Sequence, residues 1–273
     1  LVLARQQQLG HAAFLQLVLS DEVTRRDGRS ATLRAAKAGL DPTMRLDTFN
    51  DQPDLTYDRT LWSDLTTLRF TEAGTGVHIL GPVGVGKTHL ATALGHIAIR
   101  RRMTVGFHRA DKLFTRLRAA RLDNTLDAEL RRLTSTDLLI IDDFALRALD
   151  ATQTNDFYEI VVERHRRAST IWVSNREPAE WLGLTTDALL AQSAIDRLTS
   201  GAHTLVVEGP SYRQRGRVTV DPGSGVRHAR QHIQVVPCPW QHGGPFMVAS
   251  DRRPAARDPP AASGGVDPRR TRR

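Results

Sequence analysis

A single cysteine, Cys238, occurs in 273 residues. That excludes an intrachain disulfide framework and fits a reducing compartment. Lysine is nearly missing too: Lys37, Lys87 and Lys112 stand against 35 arginines. Such a bias is expected of GC-rich coding DNA, and it discounts arginine clusters as signs of nucleic-acid binding. No stretch approaches the roughly 20 apolar residues of a membrane span, so no membrane partner is expected. The apolar run 12–19 is short and lacks a charged leader, so it is not read as a signal peptide, and a cytoplasmic location is expected. Leu1 in place of Met puts the expected natural start upstream.

The net charge of +8 is not spread along the chain. Residues 209–273 hold twelve Arg and four Asp, which leaves the first 208 balanced at 26 basic and 26 acidic side chains. Residues 218–273 also hold eight of the thirteen prolines, with Gly pairs and no sustained period. A disordered Arg/Pro/Gly-rich tail is expected there, of the kind that out-of-frame translation of GC-rich DNA yields. What remains suits one α/β domain of roughly 200 residues with a small helical region before it. The expected organisation is a helical region over 1–47, a nucleotide-binding domain over 48–216, and the tail over 217–273.

The chemistry concentrates in Gly81-Pro82-Val83-Gly84-Val85-Gly86-Lys87-Thr88, which reads G-x-x-x-x-G-K-[ST]. That pattern carries weight when a strand enters it and a helix leaves it. Val77–Leu80 is a short apolar run after a Gly-Thr-Gly turn, and His89–Ile99 repeats apolar residues at helical spacing. The glycines permit positive φ, so several N–H groups can converge on an anion. The helix N-terminus adds its dipole and free N–H groups. Lys87 supplies a charge for the β- and γ-phosphates and Thr88 a hydroxyl for Mg²⁺. The phosphate-binding set is Gly81, Pro82, Val83, Gly84, Val85, Gly86, Lys87, Thr88 and His89, with ATP and Mg²⁺ as expected ligands.

A second stretch, Asp137-Leu-Leu-Ile-Ile-Asp142-Asp143, reads as a strand buried on both faces. Its carboxylates fall at the carboxyl end, where open α/β sheets bind ligands. Asp142 is placed to hold Mg²⁺, and Asp143 to orient or deprotonate an attacking water. Ser169–Ser174 is a further strand, and Asn175 at its tip is either an ordinary turn residue or a contact to phosphate and water. Elsewhere helices are expected over 1–47 with a break at Asp27-Gly28-Arg29-Ser30, around 61–70, from Ala110 through Arg121, and over 126–133, 151–167, 178–183 and 187–200. Strands are expected at 104–108 and 203–207. Arg25, Arg26, Arg29, Arg34 and Lys37 give the first region a basic side. Arg116, Arg118 and Arg121 form another, as a solvated face or as DNA contacts.

With both acidic and Ser174-Asn175 motifs in hand, the chain resembles the IstB-like ATPases, helper proteins of bacterial insertion-sequence transposition related to DnaC and DnaA. The similarity runs from about residue 10 to Arg215 and includes Glu180-Trp181, Ile195-Asp196-Arg197-Leu198 and Gly209-Pro210-Ser211-Tyr212-Arg213. It implies a AAA+ fold with a parallel five-stranded sheet in order 5-1-4-3-2. It implies that Asn175 is the first sensor and that Arg197 is an arginine finger reaching a neighbouring subunit of a homo-oligomer. It further implies that the oligomer binds duplex DNA largely without regard to sequence, and stimulates the transposase encoded by the same element. Ala145 and Asp143 depart from the Gly and Glu common in the family. No helical lid follows the fifth strand, which leaves Arg213 as the candidate second sensor. A DnaC-like helicase loader and an ATP-binding relic without turnover stay open as alternatives, while no acceptor pocket for a small-molecule kinase is visible.

Overall fold

The computed structural model describes residues 10–49 and 54–212. Five described strands form one sheet: β1 Val77–Leu80, β2 Val105–Arg109, β3 Leu138–Phe144, β4 Ser169–Ser174 and β5 His203–Val206. The order is β2-β3-β4-β1-β5, every pair parallel, which is the expected 5-1-4-3-2 read from the other edge. Every residue of β1 and β4 is buried, as befits central strands of a sheet covered on both faces, and this includes the polar His78, Ser169, Thr170 and Ser174.

Alternate side chains of each strand enter different cores, because successive Cβ atoms point to opposite faces. Leu138, Ile140, Ile171 and Val173 pack under α1 (His11–Ala38), α2 (Arg59–Thr66), α3 (Arg69–Glu72) and α4 (Lys87–Arg100). Leu139, Ile141 and Trp172 pack under α5 (Ala110–Leu122), α6 (Leu126–Thr134), α7 (Ala151–Arg164), α8 (Pro178–Trp181) and α9 (Ala188–Thr199). At the centre of this second layer Phe144 meets Phe157, Trp172 and Trp181 at ring separations of 4.9, 4.7 and 4.7 Å. Trp181 is thereby a core anchor.

Three expectations need correction. The break at Asp27–Ser30 is absent: α1 runs unbroken from His11 to Ala38. A mid-helix Gly costs only about 1 kcal/mol, and the local polar groups support the helix. Ser30 takes the Arg34 guanidinium instead of capping, Thr32 bonds back to the Gly28 carbonyl, and Asp27 holds Arg102 at 3.1 Å. The helix ends instead at Gly39 (φ 82), where Gly39 and Leu40 donate to the carbonyls of Ala36 and Ala35. The stretch around 61–70 is two short helices, divided at the buried Leu68 (φ 56). The helix expected to reach Arg167 stops at Arg164, whose side chain turns into the protein.

β3 carries an irregularity that matters for function. Its register against β4 shifts between Ile141 and Phe144, with Asp143 at φ 54 and Ala145 at φ 57. In a regular strand, adjacent aspartates would face opposite sides of the sheet. The bulge breaks that alternation at the strand tip. Ala145 thus occupies a left-handed position where an L-residue costs roughly 1–2 kcal/mol and glycine would carry no such cost.

Candidate functional site

The carboxyl ends of β1, β3 and β4 open onto a cleft of about 660 Å³. Its lining includes Val83, Gly84, Val85, Gly86, Lys87, Thr88 and His89 from the loop and α4, with Asp142, Asp143 and Asn175 from the neighbouring strand ends. Gly81, Gly84 and Gly86 all take positive φ (143, 88 and 101). Among the described residues, no acceptor takes the N–H groups of Gly84, Val85 or Gly86. An array of this kind is an anion nest, reinforced by the first turn of α4. Gly81 and Pro82 do not line the cleft. Gly81 lies against the Val207 carbonyl, and Pro82 offers its own carbonyl to the Lys87 ammonium group at 2.7 Å.

Thr88 Oγ1 lies 3.2 Å from both carboxylate oxygens of Asp142. Asp142 is 4% exposed. Burial raises its pKa, the neighbouring Asp143 charge adds to that, and the Thr88 hydroxyl and Lys87 pull the other way. A hydroxyl beside a buried carboxylate is a pair of hard oxygen donors, the set that suits Mg²⁺. Asp143 faces Arg109, whose guanidinium stands 3.2 Å from one carboxylate oxygen and 3.6 Å from Asp111. Asn175 follows Ser174, which ties the two strand tips together by donating to the Phe144 carbonyl at 2.8 Å.

Several cleft residues escape the sequence reading. Arg109 is one: it sits at the carboxyl tip of β2, a position that the strand-end rule would have flagged. The connector after α1 supplies another wall, with Asp41, Thr43, Met44, Thr48 and Phe49 on the cleft. Two histidines on one face of α4, two turns apart, hold this wall. His89 Nε2 bonds the Arg45 carbonyl and His96 Nε2 the Asp41 carbonyl, both at 2.8 Å, while the Phe49 ring packs edge-on to His89 at 5.3 Å. His89 therefore lines the cleft with its Nε2 committed to the connector.

Arg197 does not line the cleft; it donates to the Ser193 carbonyl at 2.8 Å on its own helix. Arg116 and Arg121 are paired with Glu129 and Asp156 at 2.8 and 2.7 Å, and Arg118 with Asp150. These three arginines knit α5 to α6 and α7. Arg213 lies outside the described residues. Among the described residues no helix is long and apolar enough to cross a membrane.

The family model of IstB-like ATP binding proteins matches residues 2–220. This chain belongs to that family. A Mycobacterium tuberculosis protein named as an ATP-binding protein in an insertion sequence is 36% identical over 214 residues, covering 78% of this chain and 85% of the relative. An IS21 ATP-binding protein of Pseudomonas aeruginosa is 33% identical over 210 residues, covering 77% and 79%. Among solved structures, the DnaC helicase loader superposes with a TM-score of 0.53 at 20% identity, over 61% of this chain and 98% of that one. DnaI superposes at 0.52 with 21% identity, over 60% and 90%. The IstB-like chain thus has the AAA+ P-loop fold, in the arrangement of these two structures.

Proposed function

We propose that this IstB-like protein binds ATP with Mg²⁺, hydrolyses it, and acts with a transposase on duplex DNA during insertion-sequence transposition. The observation that carries the reading is the meeting, on one cleft, of unpaired loop N–H groups, the Thr88–Asp142 oxygen pair, Asp143 and Asn175. The nest and Lys87 hold the β- and γ-phosphates. Thr88 and Asp142 hold the cation, which would neutralise charge on the phosphate oxygens. Asp143 accepts the proton of an attacking water that Asn175 orients. An Asp143 paired with Arg109 is held back from that water, so Arg109 must release it before turnover. Arg197, which does not line its own cleft, serves a neighbouring subunit, which ties hydrolysis to self-assembly.

The transposition role is supported by relatives named for insertion sequences at 33–36% identity. It takes precedence over helicase loading, because the likeness to DnaC extends to fold alone. The internal ion pairs of Arg116, Arg118 and Arg121 make them a structural face, so DNA contacts are sought elsewhere. The test is ATP binding and turnover by the full chain, with and without duplex DNA and the transposase. Lys87→Ala is expected to lower ATP affinity at least about a hundredfold. Asp143→Ala is expected to keep ATP bound while turnover stops. Turnover undiminished in Asp143→Ala would remove that residue from the chemistry.

A further inference from the structure

After β5 the chain passes back over the phosphate loop. Val207 donates to the Leu80 carbonyl at 2.8 Å, and Glu208 exchanges two backbone bonds with Thr56 at 2.8 and 2.9 Å. The Tyr212 N–H then donates to the Gly84 carbonyl at 2.9 Å. Just before it, Ser211 lies so close to the loop that a Cβ on Gly84 would stand 2.2 Å from its Oγ and 2.9 Å from its Cβ. Pro210 and Tyr212 line the nucleotide cleft itself. The motif Gly209-Pro210-Ser211-Tyr212 is thus built against the loop.

We infer that residues 208–212 form a strap that holds the phosphate loop in its anion-binding shape, with Ser211 as the positioning residue. This deepens the ATP-binding reading and rests on it. A loop whose N–H groups converge inward must turn carbonyls outward, and an outward carbonyl needs a donor. Tyr212 supplies that donor to Gly84. Ser211 fills the space that glycine leaves, so loop and strap fit only with no side chain on one partner and a small one on the other. The bridge between Glu208 and Thr56 fixes where the strap starts, and Tyr212 fixes where it ends. Between two fixed points, a larger residue at 211 has one way to move, which is to push the loop. Order in the loop before ATP arrives is part of the affinity, because binding then need not arrange it.

The test uses the full chain carrying Ser211→Val, Gly84→Ala, or Gly84→Ala with Ser211→Gly. Two quantities are measured: amide hydrogen exchange over residues 81–88 without nucleotide, and the dissociation constant for ATP with turnover at saturating ATP. Ser211→Val is expected to speed exchange in the loop while leaving β3 and β4 protected. It is expected to weaken ATP binding about tenfold, with turnover at saturation within about twofold of wild type. The double variant is expected to bind ATP at least about threefold better than Gly84→Ala alone, because removing the Ser211 side chain relieves the clash. Wild-type loop exchange in Ser211→Val overturns the strap whether or not ATP binds, as does a double variant no better than Gly84→Ala. Wild-type protein that takes up no ATP overturns the nucleotide reading instead, and loop exchange still decides the strap.

Discussion

Asp142, at the carboxyl tip of β3, and Arg164, beneath the amino ends of β3 and β4, are both buried charges, 4% and 2% exposed. Burial disfavours the charged form of each, raising the Asp142 pKa and lowering that of Arg164 to about 10. Their surroundings differ. Arg164 donates to the carbonyls of Leu133, Thr134, Thr136 and Ser169 and to the Thr170 hydroxyl, at 2.5 to 3.3 Å. It gathers the segments that lead into two strands, and each of its three nitrogens is hydrogen-bonded. Asp142 has the Thr88 hydroxyl at 3.2 Å, a like charge beside it, and backbone in the left-handed region on its C-terminal side. One end of the sheet uses a buried charge to close the fold. The other leaves a buried carboxylate with the Thr88 hydroxyl and the Asp143 backbone N–H as donors, where a cation would add hard coordination.

The contrast breaks most directly at the base. Arg164→Leu removes the donor of five acceptors and is expected to cost about 3–5 kcal/mol in urea unfolding. A loss below about 1 kcal/mol would mean that water replaces the guanidinium without penalty.

His78 offers an intermediate case. It is buried in β1 beside Trp181, its Nε2 has no partner among the described residues, and burial lowers its pKa to about 4. A depressed histidine keeps its full contribution above its unfolded pKa of about 6.5 and loses it as pH falls toward the folded value. The shift corresponds to about 3 kcal/mol, lost between roughly pH 6.5 and 4. His78→Leu is expected to flatten that part of the stability–pH curve. An unchanged acid limb would assign the loss to other groups.

The smallest effect belongs to the tip itself. Ala145→Gly relieves a left-handed φ but gives up a buried methyl. A net gain of up to about 1 kcal/mol is expected in thermal or urea unfolding, and a clear loss would show that packing outweighs backbone strain there.

How much of this was legible follows the same division. The strand positions could be read because Val77–Leu80, Leu138–Ile141 and Ser169–Ser174 are short stretches rich in β-branched, aromatic and apolar residues. The phosphate loop and the two acidic residues could be read because their chemistry demands fixed residue types. The bulge at Asp143 could not, since Asp-Asp-Phe reads as an ordinary strand end. Arg164 stood in the run Arg164-His165-Arg166-Arg167, a normal helix C-terminus, and no local pattern marks the one member that turns inward. The break expected at Asp27–Ser30 failed because it weighed local propensity and not the packing of Ala31, Ala35 and Ala38 from the following turns against the core. The connector and strap were hidden for a related reason. Their roles are main-chain contacts to α4 and Gly84, which residue identity encodes weakly.

Asp142, buried beside the Thr88 hydroxyl, completes a cation site for ATP in the proposed function. A calorimetric titration of ATP into wild type and Asp142→Asn, each with and without Mg²⁺, tests it most directly. A carboxylate whose folded pKa is raised stabilises the fold only while protonated and loses that contribution as pH rises, so the neutral amide is expected to be at least as stable as wild type at pH 7. Wild type is expected to bind ATP more tightly with Mg²⁺, and Asp142→Asn to bind ATP but lose most of the Mg²⁺ enhancement. An equal Mg²⁺ enhancement in both proteins would contradict that role.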